Sequence, residues 1–375
     1  MSRPLIAVTL GDVSGIGPEI VVRAIISKRV AAASVPVVIG HPAILRRAAD
    51  LCGLTDRLNV REITTGPASA DDLRCLAKAT APAPTDERVT VGCWNPAGDA
   101  ALTAAARVAN AAAGDAAFHY LIAAIELARQ GTVSAIATAP LNKEALHLAG
   151  HHFPGHTEIL AQQCGVDQFG MMLYLPESAI QPLRSLVRAP SLTAGTATRP
   201  AAADGLSIVH VTLHTSIASV PALLTTAAVC EKVRLMDGFL RRIRCERRAI
   251  GVCSLNPHGG ENGLFGDEEP RVIAPAVQLC ADSHIPVSGP YPVDTLVRRA
   301  VAGEFDGLVA MYHDQGHIPV KLIGFDSAVN ITLGLPLIRT SPTHGTAFDR
   351  AWNPATPADA SGMIEAILTA AKLCE

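Results

Sequence analysis

The chain has 375 residues, 49% hydrophobic and 17% charged, with 31 basic against 34 acidic side chains and a net charge of −3. This balance excludes a disordered chain, and without a basic stripe it argues against a general nucleic-acid surface. The length asks for two domains with ample core, and nine cysteines without a Cys-x-x-Cys pair read as reduced, mostly buried thiols, not a disulfide framework.

Leu5 to Leu10 forms a strand-like run, Gly11 to Gly17 a glycine-rich loop, and Pro18 opens an apolar-periodic helix over Glu19 to Ile26. The loop reads Gly-x-x-x-Gly-x-Gly and lacks the dinucleotide fingerprint Gly-x-Gly-x-x-Gly. Met-Ser-Arg-Pro leads straight into the first strand without a signal-peptide pattern, and no apolar run approaches the ~18 residues that span a bilayer. A cytoplasmic protein without membrane contact is the expectation.

Further strands are predicted at Val35 to Ile39, Ala135 to Ala139, Met171 to Leu175, Ile208 to Leu213, Ala249 to Leu255 and Leu308 to Met311. Helical patterns lie between them. In the clearest, Ala222 to Ile243, the residues Val233, Met236, Leu240 and Ile243 recur at spacings of three and four. Strands alternating with helices predict an α/β protein with a largely parallel sheet covered on both faces. Gln181 to Gly205, interrupted by Pro182, Pro190 and Pro200, reads as a long surface loop or insertion. The cluster Arg241, Arg242, Arg244, Arg247 and Arg248 reads as the solvated end of a helix.

Three histidines, His214, His258 and His313, end strand-like runs. Residues just past the carboxyl ends of parallel strands converge on the ligand crevice, and three imidazoles can hold one divalent metal with coordination sites left open. Their separations of 44 and 55 residues add nothing by themselves. His156, in Pro-Gly-His-Thr-Glu, is either an exposed histidine in a capped turn or a substrate contact. Asp294, after a rigid turn, is either a proton-transfer group or a helix N-cap. Met311 to Thr346 packs His313, Lys321, Asn330, Arg339 and His344 into 36 residues. That is one metal ligand, two cations suited to an anionic substrate, an amide and a further histidine without an assigned task.

These motifs resemble the 4-hydroxythreonine-4-phosphate dehydrogenase family and its relatives that oxidise 4-phospho-D-threonate or 4-phospho-D-erythronate. The likeness rests on Gly11-Asp12, Thr138 to Glu144, Pro154 to Glu158, Leu255 to His258 and the whole of 311 to 346. It implies two α/β/α subdomains like those of isocitrate and isopropylmalate dehydrogenases, with a cleft between them. Residues 1–130 with 315–375 would form the cofactor side, and residues 131–314 the metal and dimer side, carrying the 181–205 insertion. It implies His214, His258 and His313 as ligands of one divalent ion, zinc before magnesium, manganese or cobalt. His156, Thr157, Lys321, Asn330 and Arg339 are implied as substrate-binding residues, in a homodimer with the site at the subunit interface. The implied reaction is NAD-dependent oxidation of the C3 hydroxyl of a four-carbon phosphorylated acid followed by decarboxylation, with Asp294 or Lys143 moving the proton. Residues 138–144 and 316–321 look more like the phospho-threonate relatives.

The chain departs from the family at Val13, where Gly-Asp-Pro is usual, at Arg350 to Pro354, where small residues are usual, and at the insertion. Alternatives are a phosphate acyltransferase-like enzyme on a related fold, which needs no metal-binding histidines, and a non-catalytic protein that binds phosphorylated acids.

Overall fold

In the first strand, Leu5–Thr9 (β1), every residue is buried, as expected of a strand covered on both faces. The computed structural model describes residues 3–64, 88–187 and 205–375. These divide into two compact units, 1–167 with 335–375, and 168–334. The division therefore falls at 167/168 and 334/335, where the sequence reading set it at 130/131 and 314/315. The segment from 131 to 167 stays with the first unit because its strand pairs with β1 and its helices pack on that unit's longest helix.

The first unit contains α1 (Gly17–Ile25), α2 (Lys28–Ala33), β2 (Val35–Ile39), α3 (Pro42–Leu51), β3 (Leu58–Ile63), β4 (Val89–Trp94), α4 (Ala111–Arg129), β5 (Ala135–Thr138), α5 (Lys143–Leu148) and α6 (His156–Cys164). Its strands run β3-β4-β2-β1-β5, and Arg339–Pro342 adds a last strand beside β5, all parallel. Helix α4 passes the test of length and composition for a membrane span, as the core helix of a folded unit also does. Asp115, His119 and Glu126 interrupt it, and most of its apolar residues, Tyr120, Leu121 and Leu127 among them, are buried in the core.

The second unit holds β6 (Gly170–Pro176), α7 (Glu177–Val187), β7 (Gly205–His210), α8 (Val220–Leu223), α9 (Thr226–Arg242), β8 (Ile250–Cys253), α10 (Ala274–Asp282), β9 (Val287–Tyr291), α11 (Val293–Val301), β10 (Gly307–Ala310), α12 (His313–Gly324) and β11 (Val329–Leu333). Its strand order is β11-β6-β7-β10-β8-β9. The run β7-β10-β8-β9 is parallel, while β6 is antiparallel to both neighbours. In the first unit, β12 (Arg339–Pro342) and α13 (Ser361–Lys372) complete the chain.

Two local expectations are corrected. Residues 181–187 belong to helix α7, where Ile180 is fully buried and Leu183 and Val187 pack on the same core at spacings of three and four. That stripe outweighs Pro182, and Gly205 opens β7; residues 188–204 lie outside the described residues. The arginine cluster is also more than a solvated helix end. Arg247 forks onto Asp306 at 2.9 and 2.6 Å, and Arg248 reaches Asp237 at 2.6 Å, with both carboxylates buried. The eight described cysteines are free thiols, five of them buried.

Candidate functional site

Each of the three predicted metal-ligand histidines follows a strand of the second unit, and each lies on a corner that other residues lace down. Past β7, Val211 N donates to Ala310 O at 2.8 Å, and Thr212 donates to Met311 O from its N and Oγ1 at 3.1 and 2.8 Å. The chain thus stays tied to the end of β10 almost until His214. His313 is the first residue of α12, directly after that strand. Gln315 locks this corner, accepting from Met311 N and donating to Ser254 O, both at 2.8 Å, which links the ends of β10 and β8.

His258 occupies a loop after β8 in which residues 258–262 all have φ between 44° and 80°, including the non-glycines His258, Glu261 and Asn262. Left-handed backbone costs such residues ~1 kcal/mol or more apiece. The buried carboxylate of Glu269 anchors the approach, accepting from Leu255 N and Asn256 N at 2.8 Å and from Asn256 Nδ2 at 3.0 Å. Such strain persists only where the surroundings hold it, which here is the Glu269 carboxylate.

The rings of His214 and His313 have centroids 6.2 Å apart and line a cavity of about 470 Å³. His258 lines a second cavity, of about 590 Å³, with Asp294 and Gln315; Tyr312 and Asp314 wall both. Within one chain the donor atoms of the three histidines do not all come within 4.8 Å of one another. His317 stacks on His313 at 3.6 Å and 9°, with Nδ1 3.1 Å from the His313 carbonyl oxygen, which fixes the plane of the outer ring. Beyond it His210 is buried; burial foremost, then the facing imidazoles, pushes His210 down to about 3 and His317 to about 4, so both rings are neutral near pH 7.

Other predicted residues of this unit are less converged. Asn330, on β11, has a buried Oδ1 without a hydrogen-bond partner among the described residues. Lys321 is exposed on α12, with Nζ 5.9 Å from the Phe325 ring centroid. Asp294 is exposed in the first turn of α11, whose N-cap position belongs to Pro292, so it is not the cap.

In the first unit, Arg339 is only 2% exposed, and its Nε and Nη2 donate to Thr138 Oγ1 at 3.2 and 2.8 Å. Burial pulls the guanidinium down to about 9 against the opposing pull of Glu158, so it stays charged at neutral pH. His156, the first residue of α6, is held well below its ordinary range by burial and by the Arg339 charge, which keeps it neutral. Thr157 follows it in the first turn, whereas Lys143 is exposed at the start of α5. The divergent 350–354 segment docks on the glycine loop, α1 and α3: Trp352 N donates to Glu19 Oε1 at 2.6 Å, its Nε1 to Val13 O at 2.9 Å, and Arg47 stacks on the indole at 4.0 Å.

Gln315, Glu269 and His317, the positioning groups of these corners, are not among the candidates that the sequence offers. Gln315 and His317 sit inside the motif from Met311 to Thr346, while Glu269 carries no signal beyond its charge.

Fold and relatives together define the class. The chain is 40% identical to D-threonate 4-phosphate dehydrogenase of Salmonella typhimurium, over 94% of each chain. It is 37% identical to 4-hydroxythreonine-4-phosphate dehydrogenase of Desulfosudis oleivorans, over 92% of this chain and 90% of that one. A crystal structure of 4-hydroxythreonine-4-phosphate dehydrogenase from Klebsiella pneumoniae superposes with a TM-score of 0.79 at 38% identity, covering all of both chains. The protein is thus an oxidoreductase of the dehydrogenase type. More closely, the family described as pyridoxal phosphate biosynthetic protein PdxA matches residues 32–370, and the chain belongs to that family.

Proposed function

We propose that the protein is an NAD-dependent, divalent-metal-dependent dehydrogenase that oxidises the C3 hydroxyl of a four-carbon 4-phosphorylated acid and releases its carboxyl group as carbon dioxide. The carrying observation is the set of three histidine corners past β7, β8 and β10, laced by Thr212, Gln315 and Glu269. A donor set of three imidazoles suits zinc or a similar ion and leaves positions open for substrate.

Held by His214, His258 and His313, a divalent ion would supply Lewis acidity toward the substrate's oxygen atoms, and NAD would supply the hydride acceptor. The protein's part is binding, orientation and proton movement. Arg339, backed by Thr138, pairs with an anionic group of the substrate, as does Lys321. Asn330 Oδ1 accepts a substrate donor, which satisfies an otherwise unpaired buried atom. Neutral His156 and Thr157 hydrogen-bond without adding charge. Asp294, beside His258 in the larger cavity, or Lys143 takes up the hydroxyl proton. Residues 138–144 and 316–321, together with the name of the 40% identical relative, favour 4-phospho-D-threonate or its erythronate epimer over 4-hydroxy-L-threonine 4-phosphate. The enzyme works as a homodimer whose site is completed at the subunit interface, a reading supported by the failure of the three histidines to converge within one chain.

The test follows NADH formation with the three acids in parallel, before and after chelation. The expected result is turnover of at least one acid, lost with chelator, restored by a divalent ion, and lowered ~100-fold or more by His258→Ala. No NADH from any of them, or turnover indifferent to both chelator and His258→Ala, overturns the proposal.

A further inference from the structure

Helix α4 meets α5 unusually closely. A Cβ on Gly114 would lie 2.0 Å from Ala145 O and 2.3 Å from its carbon, so only glycine permits the approach. The consequence is that the turn after α5, which carries His151, reaches across to the next residue of α4, Asp115. His151 Nε2 lies 2.9 Å from Asp115 Oδ1, and one helical turn on, His119 Nδ1 lies 3.4 Å from Asp115 Oδ2 and 2.9 Å from the Asp115 carbonyl oxygen. Asp115 and His119 are at i and i+4, which places both on one helix face. One ligand atom from each of the three residues falls in a group within 4.8 Å of one another, the only such group among the described residues.

A second observation is the orientation of His151. The Phe118 ring stacks on it, centroids 3.8 Å apart and 12° from parallel, which holds the imidazole plane while its Nε2 faces the carboxylate. Bonds of ~2.0–2.2 Å arranged tetrahedrally need donor atoms ~3.4 Å apart, and the His–carboxylate separations here are 2.9 and 3.4 Å.

We propose that Asp115, His119 and His151 form a second metal site, in the first unit and separate from His214, His258 and His313. Two imidazoles and one carboxylate select a borderline divalent transition ion such as Zn²⁺, with the remaining position open to solvent. An ion there joins α4 to the 149–155 segment, the connection that delivers His156 to the start of α6. Its occupancy therefore stabilises that connection.

The experiment is equilibrium dialysis of the untagged full chain against Zn²⁺ alone, together with thermal unfolding at matched Zn²⁺. It uses wild type, the double variant Asp115→Asn with His119→Ala, His151→Gln, and each of these combined with His258→Ala. In the His258→Ala background one equivalent of zinc is expected to remain and to raise Tm. The double variant or His151→Gln removes that equivalent, or weakens it at least ~100-fold, and abolishes the Tm rise. Unchanged zinc content and an unchanged Tm response in the double variant and in His151→Gln overturn the proposal. Failure of the other reading looks different, because it leaves zinc content unaltered by His258→Ala alone.

Discussion

At the scale of the residue, buried charge decides most. Asp12 is fully buried; its Oδ1 accepts from Ser14 N at 2.8 Å, while Oδ2 has no partner among the described residues. Burial pushes this carboxyl up to about 6 against the pull of the Ser14 hydrogen bond, from an ordinary value of 3.8. A raised carboxyl pKa means that the folded state holds its proton longer than the unfolded chain does, so stability falls as pH rises from about 4 to about 6. Asp12→Asn keeps an acceptor for Ser14 N without the charge. It is expected to be more stable than wild type at pH 8, by ~1–3 kcal/mol, with the difference gone near pH 4. Denaturant unfolding at the two pH values measures this, and a pH-independent difference contradicts it. Arg339 is the opposite case, a buried cation kept because Thr138 and, in the proposed function, an anionic ligand compensate it.

At the scale of the element, close packing overrides local preference. Gly114 sits inside α4, where alanine is intrinsically better by ~1 kcal/mol. Because the added methyl would meet Ala145 O at 2.0 Å, Gly114→Ala is expected to destabilise the protein by ~1–3 kcal/mol, seen as a lower Tm; a higher Tm would show that the helices are not in that contact. The strands legible in the sequence were largely buried ones, such as β2 and β10, whose apolar runs are continuous. β3 and β9 were not legible because their residues are only partly buried and their composition is mixed. The predicted helix from Ala222 to Ile243 is interrupted at Thr225, whose side chain caps α9 by accepting from Ala228 N at 3.1 Å.

At the scale of the whole molecule, the second unit is one continuous stretch of chain inserted into the first. Its three histidine corners do not close around one point within a chain. If the site is completed by a second copy, two inactive variants should complement each other. Mixing His258→Ala with His313→Ala protein and allowing subunits to exchange is expected to restore up to about a quarter of wild-type NADH formation, since half the dimers are mixed and each holds one intact site. Activity that stays absent after verified exchange argues for a site built from one chain.

By itself the sequence determined the α/β class, the buried strands and the residue types of the candidate site, because burial writes periodicity into the chain and rare polar groups stand out against it. It supplied His214, His258, His313, His156 and Arg339 as candidates. Only the tertiary structure decided which groups hold them: Gln315 between β8 and β10, Glu269 beneath the left-handed turn at His258, and Thr138 on Arg339. It also brought Asp115, His119 and His151 together across Gly114. The physical reason is that these contacts join residues far apart in sequence, or depend on the close approach of two helices, and neither leaves a local pattern in the chain.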